Sequence, residues 1–294
     1  MCDEKKLETW AKDRLSRRDF GALASIAAVS ACASEEMLGS SSEAGSASSS
    51  RLVDEPVSFA TEDGTMDARF FAGPDGPAPA VIHWPDIAGI RQSHINMAMR
   101  TADAGYAVLL VNPYYRDAQG VIWPDFASFA DSGWGRAREM MANLPSFAIK
   151  RDTQSIVAWL DQQEAVDTSR GIGAEGYCMG GPYTVYSAHA VPDRVKAAAS
   201  FHGGGLVRED TESPHRLLAE ANAEYLFAIA QDDDAKAPDD KGALRQAVDA
   251  AGMKAQIEVY AGDHGWTVPD SPSYAKPAAE KAFADKLALY KSAL

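Results

Sequence analysis

From Arg51 onward, short unbroken apolar runs alternate with segments of helical spacing, and this alternation leaves few architectures open. Leu52–Ala60 and Met66–Ala72 read as two early strands around a turn at Asp63-Gly64, and Pro74–Pro79 is a turn-rich break. Ala80–Trp84 is a short apolar strand, and Ser93–Ala104 has helical spacing that stops at Gly105. Tyr106–Val111 is the kind of run that a strand buried on both faces requires. Residues 124–145 are mixed and aromatic-rich and are expected to form short helices over the sheet. Phe147–Gln163 reads as a helix, Gly171–Tyr177 as a strand, Pro182–Ala190 as a helix and Val195–Phe201 as a strand. Pro214–Ala223 is helical, Tyr225–Ala230 a buried strand, and Lys241–Ala251 a helix ending at Gly252. Ala255–Tyr260 is the last strand and Ala278–Leu294 the closing helix. Doubly buried strands need cover on both faces. The expectation is one α/β domain over residues 51–294, its central sheet mostly parallel, with helices on both sides. In such sheets the ligand site lies at the carboxyl ends of the strands.

One of those ends carries chemistry. Gly176-Tyr177-Cys178-Met179-Gly180-Gly181 lies between the Gly171–Tyr177 strand and the Pro182–Ala190 helix. This is the form of a nucleophile elbow, with cysteine where serine is usual. The reactive residue sits on a strained strand-to-helix turn, so its close neighbours must be glycine. A phosphate loop is disfavoured, because the Lys and Ser/Thr of a P-loop are missing and the glycine spacing is not G-x-G-x-x-G.

A thiol needs a base, and Gly262-Asp263-His264-Gly265 follows the last strand. A lone loop histidine is usually a surface residue. The chain order of nucleophile, acid, then histidine favours His264 as the base, in the order of an α/β-hydrolase. The acid is expected just after the strand Tyr225–Ala230, where Gln231-Asp232-Asp233-Asp234 stands. One of the three aspartates should turn inward to orient the imidazole, the other two being solvated in an acidic turn. The remaining histidines show no zinc-binding spacing, and no metal or other cofactor is expected. His202, after the strand Val195–Phe201, borders the same region but reads better as a hydrogen-bonded structural residue. Trp84, Trp123, Trp134 and Trp266 suit core packing at least as well as pocket walls, and none is assigned to the site.

At these residues the chain resembles the dienelactone hydrolase family. The resemblance covers most of Leu52–Leu294 and rests on the cysteine elbow, on Gly105-Tyr106-Ala107 leading to Asn112-Pro113-Tyr114-Tyr115-Arg116, and on Gly262-Asp263-His264-Gly265. It implies the α/β-hydrolase fold and hydrolysis of an ester or lactone through a Cys178-Asp233-His264 triad and a thioester. A gap-free alignment of the strand starting at Tyr225 puts the family aspartate on Asp233. It further implies backbone N–H groups of Ile87 and Met179 as oxyanion hole, and a substrate-binding role for Asp86 and Arg116. Asp86 falls where the family has a glutamate that interacts with the resting cysteine, and it is one methylene shorter. Arg116 matches one substrate-carboxylate arginine, whereas Val268 occupies the position of a second, so a two-arginine clamp is missing.

The first fifty residues read as an address. Ser16-Arg17-Arg18-Asp19-Phe20, followed by the uncharged run Gly21–Ala31, resembles a twin-arginine export signal, too short for a membrane span. Val29-Ser30-Ala31-Cys32 looks like a bacterial lipoprotein box, with simple cleavage after Ala33 as the alternative. Residues 33–50 are rich in Ser, Ala and Gly and suit a flexible tether. The expected partners are therefore the twin-arginine export machinery and, through lipidated Cys32, a bacterial membrane; the expected location is periplasmic or lipid-anchored. The net charge of −14 argues against nucleic acid. Three rival readings remain: a general carboxylesterase or thioesterase, a binding protein that keeps the fold without turnover, and a thiol redox protein. The last lacks a second cysteine near Cys178 in sequence.

Overall fold

In the computed structural model, residues 4–24 and 52–294 are described, with side chains from 4–16 in the first stretch. Eight strands form one sheet in the order β1-β2-β4-β3-β5-β6-β7-β8. They are β1 (Val53–Thr61), β2 (Gly64–Ala72), β3 (Ala80–Trp84), β4 (Ala107–Val111), β5 (Ile172–Tyr177), β6 (Val195–Phe201), β7 (Glu224–Ala230) and β8 (Ala255–Tyr260). β1 pairs antiparallel with β2, and β2 antiparallel with β4; every other pair is parallel. The sequence pattern anticipates this layout. β3, β4 and β5 are buried at every position and sit inside the sheet, whereas β1, exposed along most of its length, forms an edge.

Helices cover both faces: α1 (Glu4–Ala24), α2 (Gln92–Asp103), α3 (Phe126–Ser132), α4 (Trp134–Met141), α5 (Ser146–Leu160), α6 (Gly181–Ala190), α7 (Pro214–Leu217), α8 (Gln231–Lys236), α9 (Asp240–Ala251) and α10 (Lys276–Ala293). Side chains alternate along a strand, and the two layers follow from that alternation. Val81 of β3 packs with Ile95 and Ala98 of α2 and Tyr290 of α10. Its neighbour Ile82 packs in the cluster of Ile149 and Ile156 of α5 and Val185 of α6.

Most elements lie within three residues of their expected bounds. Two differ. The helix expected over Pro214–Ala223 is α7 followed by a 3-10 turn, Leu218–Glu220. The segment read as an acidic turn is the short helix α8, whose first turn holds Asp232, Asp233 and Asp234, where carboxylates complement the helix dipole. Ahead of the sheet, α1 lies on α3: Ala11 is fully buried, the Trp10 ring lies tilted 6.3 Å from that of Phe126, and Glu4 pairs with Arg138 at 2.8 Å. The arginine pair falls within α1, but the side chains of Arg17 and Arg18, Cys32 and the 33–50 tether lie outside the described residues. No described helix is long and apolar enough to cross a membrane.

Candidate active site

The carboxyl end of β5 turns straight into a 3-10 turn, Cys178–Gly180, and then α6. Glycine is obligatory here for steric reasons. A Cβ on Gly176 would sit 2.0 Å from the Gly180 carbonyl oxygen, and one on Gly180 would sit 2.6 Å from that of Trp84. Cys178 takes φ +53°, a left-handed conformation that costs an ordinary residue about 1–2 kcal/mol. Its thiol is half-buried.

The loop after β8 brings His264 to that thiol, with Nε2 3.0 Å from Sγ. On the ring's other side Nδ1 lies 2.6 Å from Asp233 Oδ2. With the Nδ1 proton donated to the carboxylate, Nε2 is left as the acceptor facing sulfur. The end of β7 and the start of α8 clasp the same loop. The Gln231 N–H donates to the Gly262 carbonyl at 3.0 Å, and the His264 N–H donates to Asp232 Oδ1 at 2.7 Å. Asp232 was expected to be a solvated turn residue; it instead holds the histidine backbone, because the first turn of α8 points two successive carboxylates at one loop. Asp234 faces away and pairs with Lys241 at 2.7 Å.

Ile87 and Met179 both adjoin Cys178, the first across the cleft and the second next in sequence. The Gly89 N–H donates to the Asp86 carbonyl at 2.9 Å, and the Ala88 N–H to Asp86 Oδ1 at 2.9 Å. The Ile87 N–H donates to no described residue. Tyr114, fully buried, donates its hydroxyl to the Ile87 carbonyl at 2.9 Å and lies 3.2 Å from the Met179 sulfur.

The structure places the two expected substrate-binding residues differently from each other. Asp86 lines the cleft, but its carboxylate is taken by Arg91, at 2.7 and 2.8 Å, and by the Ala88 N–H rather than by the thiol. Burial would raise its pKa, but Arg91 and His94 outweigh that and hold it far below the usual carboxylate range. Arg116 is not brought to Cys178. Asp63 and Asp152 hold its guanidinium at 2.6 and 2.8 Å, it stacks on Tyr115, and it borders a different cavity with Asn143 and Phe147. Val268 is buried in the core beside Trp266. The four tryptophans named above are all core residues.

Arg91 and the buried groups behind the elbow carry no local sequence signal, whereas His202 was expected to border this region. Arg91 is buried between Asp86 and Asp270, the latter at 2.9 and 3.0 Å and 179 residues away in the chain. His202 has φ +40°, stands edge-on 5.1 Å from His264, and bonds Thr267 Oγ1 through Nε2 at 2.7 Å. Burial and the nearby His264 push its pKa well below the ordinary imidazole value, so it stays neutral. Behind the elbow a buried polar chain runs from His94 to His83 (2.9 Å), on to Glu175 (2.6 Å), and then to Lys286 (2.6 Å). The cleft itself is walled by Leu7, Ile87, Phe126, Pro272, Gly265, Ser271 and Ser273, together with Asp86, Cys178, His202 and His264. Among the described residues no group of three His, Cys, Asp or Glu side chains is placed to hold a metal ion.

A sheet of this order, with a sharp turn after β5 and a histidine loop after β8, defines an α/β-hydrolase. Within that class the chain belongs to the dienelactone hydrolase family, whose model matches residues 66–294. It is thus a hydrolase of that family. It is similar to an Escherichia coli K12 protein named "Putative carboxymethylenebutenolidase", 26% identical over 222 residues that cover 74% of this chain and 78% of the relative. A Bradyrhizobium protein named "Probable 2-oxo-3-(5-oxofuran-2-ylidene)propanoate lactonase" is 27% identical over 162 residues, 54% of this chain and 60% of that one. In fold, a Klebsiella pneumoniae crystal structure described as a "Putative Dienelactone Hydrolase" superposes with a TM-score of 0.70 at 23% identity, covering 82% of this chain and 99% of that one.

Proposed function

We propose that this protein hydrolyses ester or lactone bonds through a Cys178-His264-Asp233 triad and a thioester intermediate. The observation that carries the reading is the 3.0 Å approach of His264 Nε2 to Cys178 Sγ, with Asp233 2.6 Å from the opposite ring nitrogen. His264 takes the thiol proton, and sulfur adds to the carbonyl carbon. The N–H groups of Ile87 and Met179 receive the oxyanion; one such donor is worth about 3 kcal/mol of barrier. The imidazolium then protonates the departing alkoxide, leaving an acyl-Cys178 thioester. Water deprotonated by His264 adds to the thioester, and the thiol leaves with the acid product. The lactonase named among the relatives supports a cyclic ester as one substrate class.

The test is a panel of esters and lactones on the purified protein beside Cys178→Ala and Cys178→Ser. Loss of turnover in Cys178→Ala supports the triad; retained turnover refutes it. The alternative of a binder without turnover predicts no hydrolysis by the wild type, while ligands still protect Cys178 from alkylation. We also propose export through the twin-arginine route with lipid attachment at Cys32, on the sequence order alone. Mass spectrometry of the native N-terminus tests this: a lipidated Cys32 supports it, and an intact Met1 refutes it.

A further inference from the structure

We propose, resting on the hydrolytic reading above, that this cleft takes uncharged esters or lactones and discriminates against substrates bearing a carboxylate near the scissile bond. A bound carboxylate loses water and needs a cation or several donors in return. Among the described residues lining the cleft there is no lysine or arginine. Arg91, whose guanidinium pairs with the wall residue Asp86, is fully buried, and its ion pairs go to Asp86 and Asp270. Arg116 is spent on Asp63 and Asp152 and faces another cavity. Val268 stands in the core.

The charge that does face the cleft is negative. Arg91 is one cation shared by two carboxylates, Asp86 of the wall and Asp270, and Asp233 stands behind His264, while His202 is neutral. The rest of the wall is Ile87, Phe126 and Pro272, with the hydroxyls of Ser271 and Ser273, and Leu7 of α1 completes it in the unprocessed chain. Such a lining suits an apolar acyl or lactone ring with a neutral polar group at its rim, and it repels a second carboxylate.

Two matched pairs test this on the full chain. The first compares p-nitrophenyl butyrate with mono-p-nitrophenyl succinate, which differ mainly by a terminal carboxylate. The expected kcat/KM for the succinate is about 100-fold lower, and the gap narrows as salt rises. The second does not depend on turnover. It compares alkylation of Cys178 by N-ethylmaleimide and by 3-maleimidopropionate, read on the Cys178 peptide and divided by the rates with glutathione. The anionic probe is expected to be slower by about 10-fold at low salt. Equal or faster reaction of the anionic member of both pairs overturns the proposal while leaving the triad intact. Absent ester hydrolysis with the anionic maleimide still disfavoured sustains the charge reading and sinks the hydrolytic one.

Discussion

Arg91, fully buried, grips both carboxylate oxygens of Asp86, at 2.7 and 2.8 Å. That bidentate pair fixes a four-residue turn. Asp86 Oδ1 also accepts the Ala88 N–H, and the Asp86 carbonyl accepts the Gly89 N–H. In a planar trans peptide the carbonyl and the next N–H point in opposite directions. Tying the Asp86 carbonyl to Gly89 therefore turns the Ile87 N–H the other way. Asp86 is in this sense a positioning residue for the proposed oxyanion donor.

Asp86→Ala is accordingly expected to lower kcat by about 10- to 100-fold while changing KM little, because the donor acts on a charge that develops after binding. Steady-state kinetics on a p-nitrophenyl ester separates the two constants. A rise in KM with unchanged kcat would show that Asp86 serves substrate binding instead.

The three consecutive aspartates should separate by function. Asp233→Asn removes the anion that steadies the imidazolium and is expected to lower kcat by about 100-fold or more. Asp232→Ala loosens the His264 backbone and should cost less. Asp234→Ala, which breaks a pair with Lys241, should leave kcat near wild type. A different ranking in side-by-side kinetics would reassign the acid.

The buried chain behind the elbow predicts acid sensitivity. Burial drives His83 down to about 4 against the opposing pull of Glu175. Burial would raise Glu175, but Lys286 and His83 outweigh it and hold it at about 2. In the unfolded chain His83 takes a proton near pH 6.5, so between about pH 6.5 and 4 the unfolded state binds more protons and stability is lost as the pH is lowered. His83 alone would account for about 3 kcal/mol, and Glu175 extends the loss below about pH 4.5. Urea unfolding at pH 7.5 and 4.5 measures this, and the fall should shrink in His83→Gln. Equal stability at both values would contradict the assignment.

Before the proposed cleavage at Cys32, the first helix should restrict access. Leu7 forms part of the cleft wall and Trp10 packs on Phe126, another wall residue. Deleting residues 1–31 is expected to raise kcat/KM for bulky esters several-fold and for acetates much less. An equal effect on both would show that α1 does not gate the cleft.

Most of the strand and helix order was legible, because runs such as Val108–Val111 have only one way to hide on both faces of a sheet. The approach of His264 to Cys178 was legible for a different reason: an elbow needs glycines at fixed places, and the histidine follows the last strand. Arg91, Asp270 and Tyr114 were not, since their partners lie far away in sequence and no spacing announces a buried ion pair. The placement of Arg116 was not legible, because its sequence neighbourhood matches the family while Asp63 and Asp152, which hold it, sit on separate elements. Asp232 was misjudged because whether a carboxylate faces a loop or solvent depends on the phase of a short helix that composition does not set.

The central claim is that one sulfur carries the acyl group. Quenching the wild type in acid during turnover of an activated ester, digesting it and weighing the peptides tests that claim directly. The account predicts one added acyl group on the peptide that contains Cys178, lost as the substrate is exhausted and absent from Cys178→Ala, which also stops turning over. An unmodified Cys178 peptide during turnover, with hydrolysis undiminished in Cys178→Ala, would contradict it.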